Sequence, residues 1–236
     1  MKKFLRRLIL GPKCNSESYI DYLRKLGMSI GENCNIYVPQ KTSIDITRPY
    51  MISIGNNVQI TEGVTILTHG YDWSVLKGVY GTVLGSCGSV YIGNNVFIGM
   101  NTTILKGVRI GNNVIIGANS LVNKDVPDNV VVAGNPCRII MPLDKYYEKR
   151  IKEQEIEAKE LVKRYHAVYG NNPSRNELNE FFWLFCDSNE ELPEPFEKMM
   201  RLGGNYEFSN DTFSKHEKKY QSYEAFLRSI DSEDGE

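Results

Sequence analysis

The sequence predicts a mainly β fold: a coil of very short parallel strands, with a helix before it and a helical extension after it. Three observations carry this. Aliphatic residues recur at multiples of six, in Ile30, Ile36, Ile54, Ile60 and Ile66, and again in Ile92, Ile98, Ile104, Ile110, Ile116 and Val122. The segment IGNNV returns at 54–58, 92–96 and 110–114. From Asp144 onward the six-residue rhythm gives way to helical spacing.

A strict period of six is neither the 3.6 of a helix nor the two of a long strand. It describes short flat sides joined by regular corners, each side turning one aliphatic residue into a stack of its equivalents. Three sides close a turn, and turns stack at the ~4.8 Å spacing of parallel strands. Corners need tight turns and some positive φ, which Gly and Asn tolerate best, as in G-N-N at 55–57, 93–95 and 111–113. The series weakens between Thr42 and Met51, yet Ile36 and Ile54 stay eighteen residues apart, which predicts an undisturbed register. Ile66 and Ile92 are twenty-six apart, which is not a multiple of six, so residues 70–90 are expected to loop out.

The flanks read as helices. Ser16 to Gly27 forms one helix before the coil, within an N-terminal segment 1–27. The coil is expected over 28–143 and the helical extension over 144–230, with a disordered tail at 231–236. Tyr147, Ile151, Ala158, Leu161, Tyr165 and Val168 keep helical spacing until Gly170-Asn171-Asn172-Pro173 stops them. Ser174 to Glu177 reads as a capping box opening a second helix through Phe181–Phe185, and two further helices are expected at 194–202 and 214–230. The apolar Phe181–Phe185 run predicts packing against the coil or a partner.

Composition bounds the function. A formal net charge of −1 argues against nucleic-acid binding, which needs a basic stripe. The five scattered cysteines contain no C-x-x-C pair and read as reduced cytosolic thiols. No apolar run reaches the ~20 residues of a membrane span. In MKKFLRRLILGP the charges Arg6 and Arg7 interrupt the apolar stretch and no small-residue cleavage site follows, which disfavours a signal peptide. A short basic amphipathic helix is expected instead, touching an anionic membrane surface or packing on the protein.

The [Leu/Ile/Val]-Gly-x-x-x-x repeat, the histidine at the root of the looped-out segment, and the closing stretch VNKDVPDNVVVAGNPCRII resemble the hexapeptide-repeat acyltransferases. The similar branch is that of the maltose, galactoside, xenobiotic and capsular-polysaccharide O-acetyltransferases, over roughly residues 28–141. The resemblance implies a left-handed parallel β-helix, a homotrimer, acetyl-CoA as co-substrate in a cleft between subunits, no metal, and a cytoplasmic enzyme, with the inner face of the membrane as the alternative address. It further implies O-acetylation of a sugar or glycan in capsule or surface-polysaccharide assembly, with His69 as general base. A neutral imidazole can take the proton of a hydroxyl at cellular pH, and the attack then leaves an oxyanion for a preorganised donor. Asp72, three residues on, either orients that imidazole or is solvated. Tyr71 and Trp73 either wall the sugar or anchor the loop.

By the same correspondence Phe97 lies where the family often has tryptophan beside the pantetheine arm. Met100 replaces a hydrogen-bonding serine, and Ala118 offers a backbone amide. Asn123 and Lys124 stand for a Thr-Lys pair near the adenosine and phosphates, and Asn135 and Arg138 complete the nucleotide end. Three readings compete. A gamma-type carbonic anhydrase needs three zinc-binding histidines, whereas the repeat region holds only His69, with His166 and His216 in the extension. A non-catalytic scaffold leaves the looped-out histidine and the closing motif without purpose. N-acetylation of an amino-sugar nucleotide would use the same base.

Overall fold

The computed structural model describes residues 7–233, with side chains through Ile230. It divides into two compact units with the boundary between Tyr146 and Tyr147.

In the first unit, α1 (Ser16–Lys25) starts at Asn15, whose side chain accepts from the Ser18 amide, and buries Tyr19, Ile20 and Leu23. The chain then runs through short strands: β1 (Ser29–Ile30), β2 (Asn35–Ile36), β3 (Ser43–Ile44), β4 (Ile52–Ile54), β5 (Val58–Ile60), β6 (Thr65–Ile66), β7 (Val90–Ile92), β8 (Val96–Ile98), β9 (Thr103–Ile104), β10 (Arg109–Ile110), β11 (Val114–Ile116), β12 (Leu121–Val122), β13 (Val130–Ala133) and β14 (Arg138–Pro142). Strands β1 to β12 enter three sheets in rotation, and β13 and β14 both join the second. The first sheet has the order β1-β4-β7-β10, the third β12-β9-β6-β3, and the second β14-β13-β11-β8-β5-β2. All pairings are parallel except β13 with β14.

Strands β1 to β13 turn aliphatic residues inward, whereas β14 leaves Ile139 and Ile140 exposed. Ile54, Ile60, Ile66, Ile92, Ile98, Ile104, Ile110, Ile116 and Val122 form one continuous core. Burying each such side chain contributes about 1.5–3 kcal/mol, so short strands suffice once stacked. At the corners between first and second sheet, positive φ falls on the second Asn of each G-N-N, at Asn57, Asn95 and Asn113. The first Asn makes a ladder: the Oδ1 atoms of Asn56, Asn94 and Asn112 accept from the amides of Glu32, Asn56 and Asn94 at 2.8–2.9 Å. The glycine serves a different need. A Cβ on Gly93 would lie 2.5 Å from the Gly111 carbonyl oxygen, so the coils stack this closely only without one.

One expectation about the coil needs correction. Ile36 and Ile54 are eighteen residues apart but lie in different sheets: Ile36 pairs with Ile60 and Ile54 with Ile30. The 3-10 turns Pro39–Lys41 and Pro49–Met51 lengthen that coil, so its register is twenty-four residues. The looped-out segment is in part helical, with α2 over Trp73–Tyr80. The basic start lies mostly outside the described residues; residues 7–10 are helical, with Leu8 and Ile9 exposed.

The second unit continues α3 (Leu143–Tyr169) and adds α4 (Glu194–Arg201), α5 (Tyr206–Ser214) and α6 (Tyr223–Glu233). Where a capped helix is expected after Ser174, two 3-10 turns stand instead, Arg175–Leu178 and Phe182–Leu184. The reason is local: Ser174 spends its hydroxyl on the Glu177 carboxylate and caps no backbone amide. The helix expected at 214–230 begins only at Tyr223, as α6; residues 215–222 are not helical, and α5, ending at Ser214, precedes them. Of the expected tail, 231–233 belong to α6 and the rest lies outside the described residues. The Phe181–Phe185 run packs within its own unit. Phe182 stacks on Phe196 at 4.8 Å, and Phe185 meets Phe226 at 5.8 Å. Among the described residues no helix is long and apolar enough to cross a membrane.

Candidate active site

The edge between third and first sheet carries the unusual chemistry. Each coil leaves the third sheet at the residue after its inward aliphatic, giving a column Asp45, Leu67, Leu105, Asn123. At the second coil the chain departs into the loop through Thr68 and His69. The neck is pinned by backbone pairing: His69 bridges Cys87, Gly88 donates to the Thr68 carbonyl at 2.9 Å, and Gly70 to Ser86 at 3.3 Å.

This pinning sets the His69 ring against the coil before it. Nδ1 lies 2.7 Å from Asp45 Oδ2, with the His69 side chain 16% and the Asp45 side chain 5% exposed. Asp45 is crowded with donors. Thr68 gives its amide at 3.3 Å and its hydroxyl to Oδ2; Thr47 gives its amide at 2.9 Å and its hydroxyl at 2.7 Å to Oδ1. Burial alone pushes this carboxyl up, but the bonds from Thr68, then Thr47, then His69 outweigh it and hold it well below the usual carboxylate range. An ionised carboxylate only accepts, so Nδ1 carries a proton, and in the neutral tautomer this leaves Nε2 as the ring's acceptor.

Asp72 does not take that place. It precedes α2, is exposed, and lies close enough to Gly70 that a Cβ there would sit 2.6 Å from its Oδ1. The carboxylate on the ring comes instead from Asp45, which the sequence reading missed. Its signal was the one charge in a column otherwise held by Leu67, Leu105 and Asn123. Tyr71 sets its ring edge-on to His69, centroids 5.3 Å apart and planes at 78°, while remaining 69% exposed; Trp73 lies 6.0 Å from Tyr71.

The remaining expected residues fall on two separate edges. Asn123 and Lys124 are exposed on the edge of His69, two coils on, about 10 Å at ~4.8 Å per coil. Phe97 lies on the second sheet, 42% exposed, in register with Gln59 and Ile115. Met100, 46% exposed, sits at the corner after β8, where its carbonyl accepts from Asn119 at 2.7 Å. Ala118 is beside Asn119 on the next coil, and exposed Asn135 follows Gly134, whose carbonyl accepts from Leu121. Arg138 opens β14, exposed. Among the described residues neither Lys124 nor Arg138 forms an ion pair, and no group of His, Cys, Asp or Glu could hold a metal ion.

Comparison with known proteins agrees with this architecture. Residues 89–124 match the family described as bacterial transferase hexapeptide (six repeats). Protein CapG of Staphylococcus aureus is 44% identical over 149 residues, which cover 63% of this chain and 85% of CapG. The chain belongs to the hexapeptide-repeat acetyltransferases. A second member, the galactoside O-acetyltransferase of Lactococcus lactis, is 35% identical over 59% of this chain and 72% of its own length. The Escherichia coli galactoside O-acetyltransferase is 39% identical over 44% of this chain and 52% of that protein. Among solved structures, a maltose O-acetyltransferase of Clostridium difficile is 33% identical with a TM-score of 0.45, over 60% of this chain and 83% of that one.

Proposed function

We propose that the protein is an acetyl-CoA-dependent O-acetyltransferase acting on a sugar or glycan in the assembly of capsule or another surface polysaccharide. The observation that carries the reading is the 2.7 Å contact between His69 Nδ1 and Asp45. His69 Nε2 takes the proton of the acceptor hydroxyl as its oxygen forms the new ester bond, and Asp45 opposes the positive charge that then develops on the ring. His69 returns the proton to the departing thiolate, leaving the ring neutral for the next turnover. Acetyl-CoA supplies the activated acetyl thioester.

The residues present suit this co-substrate. Exposed Phe97 and Met100 offer apolar surface for a pantetheine arm, and unpaired Lys124 and Arg138 offer cations for phosphates. Lys124 and His69 share one edge, while Phe97, Met100 and Ala118 line the second sheet and its far corner. One chain therefore offers two half-sites. This supports a trimer of left-handed β-helices in which the His69 edge of one copy faces the second sheet of another. The names of the galactoside O-acetyltransferases support the acceptor class.

The test is an acceptor screen with purified protein, following free thiol released from acetyl-CoA. Sugar-dependent release that His69→Ala abolishes supports the reading. Release that depends on amines and ignores hydroxyl acceptors would replace it with N-acetylation.

A further inference from the structure

The basic, apolar opening of the sequence has a pattern that the coil does not use. Read at about 100° per residue, Phe4, Leu5, Leu8 and Ile9 fall within an arc of about 140°, and Lys2, Lys3, Arg6 and Arg7 fill the opposite arc. Five of the first sixteen residues are basic and none is acidic, in a chain whose formal net charge is −1. Positive charge is therefore concentrated in one short segment, and the rest of the chain is net acidic.

The described part of this segment shows which face the fold uses. Residues 7–10 are helical, and the helix ends at Gly11, whose φ of 54° is left-handed. The 3-10 turn Gly11–Cys14 that follows is tied to the first coil. Lys13 Nζ donates to the Thr42 carbonyl at 2.8 Å, and Gln40 Nε2 donates to the Lys13 carbonyl. Leu10, 36% exposed, lines a groove of about 470 Å³ together with Tyr19, Ile44 and Ile46. Leu8 and Ile9, in contrast, are 73% and 72% exposed, and neither joins a core. The side of the helix that carries the apolar arc is thus left in water, while Leu10, outside that arc, meets the coil.

We propose that residues 2–9 anchor the protein to an anionic lipid surface, with the apolar arc in the headgroup boundary and the cations against its charges. Attachment to such a surface grows with both the apolar area buried and the attraction to anionic lipid, and this segment supplies both on opposite arcs. A nucleic acid would satisfy the cations and leave the apolar arc in water. A buried protein contact would satisfy the apolar arc and strand four cations. The anchor is rooted on the coil next to that of His69, since Ile46, in the Leu10 groove, follows Asp45, which meets His69 at 2.7 Å. In the trimer proposed above, rotational symmetry sets all three copies of the segment at one level along the axis. A planar bilayer then meets three at once, and their individually weak affinities multiply. Lipid binding is measurable without turnover and so stands apart from the acetyltransferase reading.

The experiment sediments the full chain with vesicles of phosphatidylcholine alone, or of phosphatidylcholine and phosphatidylglycerol in equal parts. The native protein should bind the mixed vesicles at least about 10-fold more tightly than the neutral ones, and added salt should weaken that binding. Leu8→Asp with Ile9→Asp puts charge on the apolar arc and should lose about 10-fold or more on mixed vesicles. Arg6→Gln with Arg7→Gln should shed most of the preference for anionic lipid. Both double variants should keep the native oligomer by light scattering and native acetyl transfer to soluble sugars, since neither alters the site. Absent binding to the mixed vesicles, or equal binding to both kinds, overturns the proposal, as does native vesicle binding in both double variants. A changed oligomer in Leu8→Asp with Ile9→Asp assigns the apolar arc to a neighbouring copy and also overturns it. Vesicle binding by a protein that transfers no acetyl group leaves the anchor standing and removes the enzymatic reading instead.

Discussion

Asp45 and His69 are twenty-four residues apart yet meet at 2.7 Å, because each leaves the third sheet at the same edge of successive coils. The relationship makes the proposed base a two-coil device: one coil supplies the ring, the other accepts its Nδ1 proton. His69→Ala should lower kcat by about 10²–10⁴-fold with the coil intact. Asp45→Asn keeps the shape and removes the negative charge, so it should cost about 10- to 10³-fold, mainly in kcat. Circular dichroism and CoA binding on the same samples separate chemistry from folding. An Asp45→Asn enzyme with native kcat would end the tautomer argument.

The inward column and the asparagine corners were legible in the sequence because each obeys a fixed spacing and has one physical demand, apolar burial for Ile98 and Ile116, positive φ for Asn95 and Asn113. Coil length was not legible. Two 3-10 turns add residues without disturbing the spacing from Ile36 to Ile54, so a count of six still fits while the sheets have changed. Asp45 was overlooked for the same reason, since its column is visible only once Ile44 is known to pair with Ile66. The helix Trp73–Tyr80 buries none of its residues, so its apolar side chains do not mark a core-facing stripe.

The two kinds of glycine should separate cleanly. Gly93→Ala places a methyl group 2.5 Å from a backbone carbonyl that cannot swing aside, and overpacking of this kind costs about 1–3 kcal/mol. Gly78, within α2, has nothing within 4 Å of an added Cβ, so Gly78→Ala should stabilise that helix by about 0.5–1 kcal/mol. Urea denaturation reads the first directly, and amide exchange across 73–80 reads the second. A harmless Gly93→Ala would mean the coils stack less tightly than described.

Glu155 anchors the second unit through Lys219, the Tyr220 hydroxyl and Lys159. Burial pushes its carboxyl up, but those partners win and draw it down to about 2 from its ordinary 4.5. A depressed folded value contributes stability that is full above about pH 4.5 and is lost as pH falls through about 2. Glu155→Gln should therefore lower the unfolding midpoint of this unit at pH 7, and the gap to the native chain should close progressively below pH 4.5. With Trp73→Phe as background, Trp183 fluorescence reports the unit alone. A gap that stays constant down to pH 3 would show that Glu155 contributes shape and not charge.

The cofactor assignment and the division of the chain can be tested together. The core of the first unit draws on residues up to Val132, and the core of the second begins at Ala158. No assigned cofactor residue lies beyond Arg138. A chain ending after Tyr146 keeps β14 and should fold its coil and bind CoA with near-native affinity. Within it, Lys124→Ala and Arg138→Ala should each weaken CoA by an amount equivalent to about 1.5–3 kcal/mol for a charge-assisted bond, less where solvent screens the contact. Comparing CoA with dephospho-CoA by calorimetry identifies which cation meets the 3′-phosphate, since only that variant loses its preference for CoA. A folded truncation that fails to bind CoA would place part of the cofactor site in the helical unit, and the separation of chemistry from the extension would fall.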